Sequence, residues 1–219
     1  EVTTLQGDAN HLSIATYNLE NLDVGDHKFD LLAGNIVYNL NAPDIIAVQE
    51  IQDADGAGSG SDLSGTVTAQ GLIDAIYAQS GKHYAYIEIA PETANSTGGE
   101  PGGNIRNGFL YNVDRVSYVE GSAELITGGA YIGSRNPLAA QFNFAGETIT
   151  AIDVHFTSRG GSEPNWGNGQ PADAAGDAAR TAQAAGVKAY IQEHLADDPS
   201  LNIAVLGDWN GFYFEDAQT

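Results

Sequence analysis

The 219-residue sequence contains no cysteine, no methionine, only 8 lysines and arginines, and no long apolar run. Without cysteine there is neither a disulfide framework nor a thiolate zinc site, and redox chemistry says nothing about compartment. Without an apolar stretch near the roughly 20 residues that cross a bilayer, no membrane span is expected. Without methionine the natural start is expected to be removed or to lie upstream, and with it any signal peptide. The shortage of cations is set against 29 acidic side chains, a formal charge of −21. Such a field repels polyanions unless a few cations are placed locally, so bulk electrostatic capture of nucleic acid is disfavoured. It suits a secreted, extracellular or periplasmic protein. The length allows one sizeable core, and no repeat or linker divides the chain, so a single domain over 1–219 is expected.

What is present is an alternation of strand and helix patterns. "HLSIATYN" (11–18) places Leu12, Ile14 and Thr16 on one face, with Asn18 next on that face. "FDLLAGNIVYNL" (29–40) carries a helical stripe, and "PDIIAVQE" (43–50) reads as a near-continuous apolar strand opened by Pro43. The spacing predicts a second helix over 67–79 and a long third over roughly 174–196. Strands are predicted at 83–90, 106–112, 116–121, 139–146, 147–158 and 202–208. Two glycine-rich loops lie at 53–65 and 95–103. This is the pattern of an α/β protein with helices covering β-sheet.

Three of the strands run apolar residues into oxygen-bearing side chains: Asn18 and Glu20 after "ATY", Glu50 after "AVQ", Asp208 and Asn210 in "VLGDWN". Residues two apart on a strand share a face, so each pair can aim oxygens into one space. Asp and Asn are also ordinary turn formers, which would explain any one such ending more easily than three. Gathered carboxylates resist ionisation unless a cation sits between them, and oxygen-only ligands suit Mg²⁺ or Mn²⁺ rather than zinc. In "TAIDVHFTSRGG" (150–161) Asp153 and His155 share a face and Arg159 follows in a glycine-rich turn. A histidine in an apolar strand is more often a core residue than a catalyst. Here it can donate to a phosphoryl oxygen, with Arg159 offering a planar fork to phosphate. Arg106, opening the strand at 106–112, reads either as another phosphate contact or as a surface ion pair. Asp53, Asp55 and Asp62 form an acidic loop of the kind that takes Ca²⁺, without the terminal Glu of an EF-hand. Trp166 reads as a loop anchor ahead of a stacking platform.

The segments "ATYNLENL", "PDIIAVQEI", "RNGFLYN", "VHFTSRGG" and "AVLGDWN", in this order and spanning about 12–217, resemble the endonuclease/exonuclease/phosphatase superfamily. That group includes pancreatic-type deoxyribonucleases, abasic-site endonucleases, neutral sphingomyelinases and inositol polyphosphate 5-phosphatases. "YNLENLD", "SRNPLAAQF", "HFTSRGGS", "ARTAQAAGV" and "GDWNGFYFEDA" are similar more narrowly to bacterial secreted nucleases. The resemblance implies a four-layer αββα sandwich, two packed mixed or mainly antiparallel β-sheets flanked by helices, with the active site at strand ends.

By that likeness Glu50 is the principal carboxylate for Mg²⁺ or Mn²⁺, with Asn18 and Glu20 nearby. His155 contacts phosphate, Asp208 and Asn210 position or deprotonate the attacking water, and Arg106, Asn107, Asp153 and Arg159 contact phosphate or substrate. The implied reaction is hydrolysis of a phosphodiester in DNA or RNA by a monomer. A row of Arg106, Arg135 and Arg159 would replace the missing cationic field locally. The family's closing Asp-His pair is not reached by Thr219, so the closing strands and part of the site are expected to be missing. Thr157 stands where lysine is common and Asp153 where asparagine is common. Two competing readings are a phosphatase or sphingomyelinase-like phospholipase on a smaller phosphoester, and a non-catalytic, calcium-binding module that keeps the fold.

Overall fold

In the structure, a computed structural model, residues 2–58, 62–164, 166–168, 172–212 and 215 are described. Chain order is β1 (Ile14–Leu22), α1 (Phe29–Gly34), β2 (Ile45–Ile51), α2 (Thr66–Ser80), β3 (Tyr84–Glu88), β4 (Arg106–Asn112), β5 (Ser117–Tyr118), β6 (Glu124–Leu125), β7 (Leu138–Phe144), β8 (Glu147–His155), α3 (Asp177–Asp197) and β9 (Asn202–Asp208).

The apolar run of β2 is buried on both faces, and its alternation sorts side chains between two cores. Ile46 and Val48 pack under α1 and α2 with Leu72 and Ile76, while Ile45 and Ala47 face the second sheet with Phe109 and Phe142. The first sheet runs β1-β2-β4-β3, and the second β5-β7-β8-β9 with β6 also paired to β7. Behind the second sheet, Ile152 and Val154 of β8 pack with Val187 and Ala184 of α3. The layers are therefore helix, sheet, sheet, helix: the four-layer sandwich.

Two parallel pairs matter most for the site. β1 and β2 are parallel with Ile14 opposite Ile45, and β8 and β9 are parallel with His155 opposite Asp208. Each pair is joined by a helical crossover, so the carboxyl ends of all four strands reach one edge of the two sheets, where open α/β sheets carry their ligand sites. β9 can lie close to β8 because residue 207 is glycine: with φ at +139°, a Cβ there would sit 2.0 Å from Val154 O.

Local structure departs from the periodicity in three places. The helix expected over 29–40 is α-helical only to Gly34, then widens into a π turn over Asn35–Asn39 and stops where Asn41 and Ala42 take left-handed φ. The strand expected at 116–121 is two residues long, and a further two-residue strand, β6, follows it. β1 begins at Ile14 rather than residue 11 and continues to Leu22.

Candidate active site

At the shared edge, backbone alternation fails where the functional side chains emerge. Glu20, Asn21, Glu50 and Asn210 have φ of 56°, 54°, 60° and 51°, four of the ten positive-φ non-glycine residues among those described. Such conformations cost of order 1–3 kcal/mol each and persist where the surroundings over-determine them. Pairing register shifts between Asn18 and Leu22 of β1 and between Val48 and Ile51 of β2, so both strands bulge at the same level. The bulge holds Glu50 at the edge: Asn21 N donates to Glu50 Oε2 at 3.1 Å.

Across the gap between the sheets, His155 Nε2 lies 3.5 Å from Glu50 Oε1. Asn18 Nδ2 donates to Asp208 Oδ2 at 3.0 Å, a contact 190 residues apart in sequence. Asn210 N donates to Asp208 Oδ1 at 2.9 Å, closing an Asx turn that orients the carboxylate. Asn210 Nδ2 donates to Phe156 O at 3.0 Å, and Arg135 Nη2 donates to the same carbonyl at 2.8 Å. Glu50, His155, Asp208, Asn18 and Asn210 are thus brought together, with Arg135 beside them.

The electrostatics follow from burial. His155 is 2 % exposed, and desolvation first, with the Arg135 charge second, pulls its pKa down to about 3 against the opposing charge of Asp208. The imidazole is therefore neutral at physiological pH, and its Nδ1 is buried without a partner. Burial also lowers the pKa of Arg135, while Glu50 and Asp208 act to keep it charged.

Several expected contacts are placed elsewhere, and these are corrections. Glu20 does not join the cluster: the left-handed pair Glu20–Asn21 turns it to solvent, where its carboxylate lies 3.8 Å from Lys28 Nζ. Arg106 is no phosphate contact: its guanidinium is buried against Glu88 Oε2 at 2.9 Å and the carbonyls of Asn104 and Leu63. Arg159 is paired to Glu215 and stacks over the Phe212 ring at 4.4 Å, so it does not offer a free fork.

Asp153 shares the face of His155, as alternation demands, yet it is enclosed between the sheets and out of substrate's reach. It accepts from Gln49 Nε2 at 2.6 Å and Gly108 N at 3.2 Å, and burial raises its pKa well above the carboxylate range despite those bonds. Asn107 Nδ2 donates to Asp153 O at 3.2 Å and Asn136 O at 3.0 Å, below the edge rather than on it.

In the acidic loop, Asp53 is buried and accepts from Asn104 Nδ2 at 2.7 Å, while Asp62 accepts from Ser64 N. Part of that loop, 59–61, lies outside the described residues, as do 213–214 and 216–217 of the "GDWNGFYFEDA" segment. Trp166 is 84 % exposed in a small cleft with Arg159 and Phe212.

Sequence reasoning missed Gln49, because a glutamine inside an apolar strand carries no signal until its partner Asp153 on the other sheet is known. It also missed the fully buried Arg180, which lies 3.2 Å from Glu215 and binds the carbonyls of Thr157 and Ala175. An arginine on the apolar stripe of a helix, at Arg180 with Gln183 and Val187, was the available sign.

No protein-family model matches the chain, and no curated protein does. Solved structures do. D. rerio TDP2 complexed with single strand DNA product is 19 % identical with a TM-score of 0.52, over 92 % of this chain and 61 % of that one. An endonuclease/exonuclease/phosphatase family protein from Bacteroides thetaiotaomicron is 16 % identical with a TM-score of 0.57, over 94 % and 66 %. The human Nocturnin catalytic domain with bound sulfate anion is 14 % identical with a TM-score of 0.58, over 94 % and 67 %. The chain thus spans about three-fifths of the D. rerio structure and two-thirds of the other two. Likeness at these identities establishes architecture: the chain has the endonuclease/exonuclease/phosphatase fold.

Proposed function

We propose that this fold serves here as a divalent-metal-dependent phosphodiester hydrolase acting on nucleic acid. The observation that carries the reading is the convergence of Glu50, His155 and Asp208 from three strands of two sheets, with Asn18 tied to Asp208. The D. rerio neighbour's single-strand DNA product supports nucleic acid as the substrate class. Secretion from a bacterium belongs to the same proposal and rests on the acidic composition and on the likeness of segments such as "HFTSRGGS" and "GDWNGFYFEDA" to bacterial secreted nucleases.

The donor set fits a hard cation. Glu50 and the Asn18 carboxamide oxygen are the groups that would hold it, and both are oxygen ligands. Oxygen-only donors with water completing the shell suit Mg²⁺ or Mn²⁺ held on one or two carboxylates better than zinc. Such a cation, when bound, supplies charge neutralisation on the phosphoryl oxygens. The protein's own groups do the rest. Neutral His155 donates a hydrogen bond to a phosphoryl oxygen without placing a full charge in the buried site. Asp208, fixed by Asn18 and the Asn210 amide, orients a water for in-line attack and takes its proton as the new O–P bond forms and the ester oxygen leaves.

One observation favours a smaller phosphoester as a second reading: Arg106 and Arg159 are both committed to glutamates, so the cationic row that would grip a polyanion is reduced to Arg135. Turnover of a labelled single-stranded oligonucleotide is compared with that of sphingomyelin and inositol phosphates, in Mg²⁺ or Mn²⁺ and after chelation. Preference for either small ester would overturn the nucleic-acid assignment and leave the hydrolase. Activity that survives chelation would overturn metal dependence.

A further inference from the structure

We propose that Gln49 and Asp153 are positioning residues: the buried hydrogen bond between them fixes where one sheet sits on the other, and through that the approach of Glu50 to His155. Its catalytic consequence rests on the hydrolase reading above. Alternation places Ile45, Ala47 and Gln49 of β2 in a row facing the second sheet, and Ala151, Asp153 and His155 of β8 in a row facing the first. Both rows start apolar and turn polar where they meet, with Gln49 Nε2 donating to Asp153 Oδ1 at 2.6 Å. Gln49 is 1 % and Asp153 0 % exposed. Along the chain Gln49 stands one residue from Glu50 and Asp153 two from His155, about 3 and 7 Å of extended strand.

Asp153 is tied to the first sheet at two further atoms. Its Oδ2 accepts from Gly108 N at 3.2 Å, and its carbonyl accepts from Asn107 Nδ2 at 3.2 Å. Gln49 opposite Asn18, and Gly108 opposite Val48, are the last regular pairs before β1, β2 and β4 lose register. The ties therefore grip the first sheet just where its own ladder stops specifying the position of Glu50.

Apolar packing is non-directional, so Phe109 against Phe142 holds the sheets together without fixing their offset to a fraction of an ångström. A hydrogen bond does fix it, since it weakens steeply as distance and angle depart from the optimum. The pair is costly to bury: desolvation pushes the Asp153 carboxyl well above the usual carboxylate range, a cost that two apolar side chains would not carry. What the polar pair adds is direction. That tolerance matters to hydrolysis, because a misplacement of about 1 Å can cost about 10²-fold in rate.

The test replaces Gln49 by methionine, which has the same length and no hydrogen-bonding group, and Asp153 by asparagine. In Asp153→Asn the carboxamide oxygen accepts from Gly108 N, and its Nδ2 donates to Gln49 with the Gln49 amide turned over, so the link persists. Cleavage of a labelled oligonucleotide in Mg²⁺ is followed for each variant at a temperature where circular dichroism shows it folded. Gln49→Met should lower kcat at least about ten-fold with KM within about three-fold of the parent, while Asp153→Asn should keep kcat within about three-fold. Native-state hydrogen exchange reads the same offset independently of turnover. The Asn21 amide, which donates to Glu50 Oε2, should exchange at least about ten-fold faster in Gln49→Met, and should speed up more than the amides of Phe142 and Ile149 in the paired strands β7 and β8.

A folded Gln49→Met that keeps the parent's kcat or its Asn21 exchange, or that speeds all three amides alike, overturns the proposal. So does an Asp153→Asn slowed as far as Gln49→Met. If Gln49→Met does not fold, Gln49→Asn, whose carboxamide is one methylene short of Asp153, takes its place under the same outcomes. Failure of both to fold makes the pair merely structural and also overturns the proposal. If the parent cleaves no phosphodiester, the hydrolase reading fails, and the Asn21 exchange still decides whether the pair sets the offset.

Discussion

Glu50 and His155 face each other from different sheets because each stands at a strand end, and the left-handed backbone of Glu50 keeps its carboxylate on the edge. Truncating His155 to alanine removes a neutral donor from the site. The expected result is a fall in kcat of about 10²–10³ with KM little changed, the signature of a contact made in the transition state. A rise in KM alone would move His155 from catalysis to binding.

Asp153, enclosed beneath the same site, has a different signature. Its folded pKa is raised, so its contribution to stability is fully present below the unfolded value near pH 4 and is lost as pH climbs through the folded value. Asp153→Asn keeps an acceptor for Gly108 and removes that loss. Its stability in urea should match the parent near pH 4 and exceed it at pH 8. A deficit at pH 8 would show that the ionised carboxylate is what the Gln49 and Gly108 donors hold.

Element by element, the strands and helices were legible because burial imposes period 2 or 3.6 on them. β2, β4, β8, β9, α2 and α3 lie where alternation and stripes put them. The bulges in β1 and β2 were not legible, since left-handed φ at Glu20 and Glu50 is set by pairing to neighbours and not by those residue types. That is why Asn18 reaches Asp208 while Glu20, two residues on, turns to solvent.

The inter-sheet layer depends on Phe109 against Phe142, edge to face at 5.5 Å, with Tyr111 also on Phe142 at 5.5 Å. Phe109→Ala should cost about 3–5 kcal/mol in urea unfolding, and a loss under about 1 kcal/mol would mean the sheets are not held there. At the opposite end, buried Asp44 is kept ionised against desolvation by Arg115 and Ser13. Its stabilisation is present above about pH 4 and is lost as pH falls through its depressed folded value. Arg115→Met should therefore cost about 3 kcal/mol at pH 7, with the difference from the parent shrinking toward pH 3. A penalty independent of pH would assign the effect to lost packing.

At the scale of the whole molecule, the order of the motifs along the chain made the sandwich legible, while the electrostatics did not follow from residue counts. Whether an arginine is free depends on partners far away in sequence: Glu88 for Arg106 and Glu215 for Arg159. Self-repulsion, by contrast, depends on net charge rather than on pairing. Raising NaCl from about 0.1 to 1 M screens a net charge of −21 and should raise the Tm by a few degrees, and a Tm that falls would contradict this.

The central claim is that strand ends of two sheets deliver one metal-assisted hydrolytic centre. It is tested most directly by following cleavage of a labelled oligonucleotide by the protein and its Glu50→Gln variant across a Mg²⁺ and Mn²⁺ titration. The account predicts metal-dependent cleavage by the parent and a loss of at least about 10³-fold in the variant at every metal concentration. Equal rates for the two proteins would contradict it.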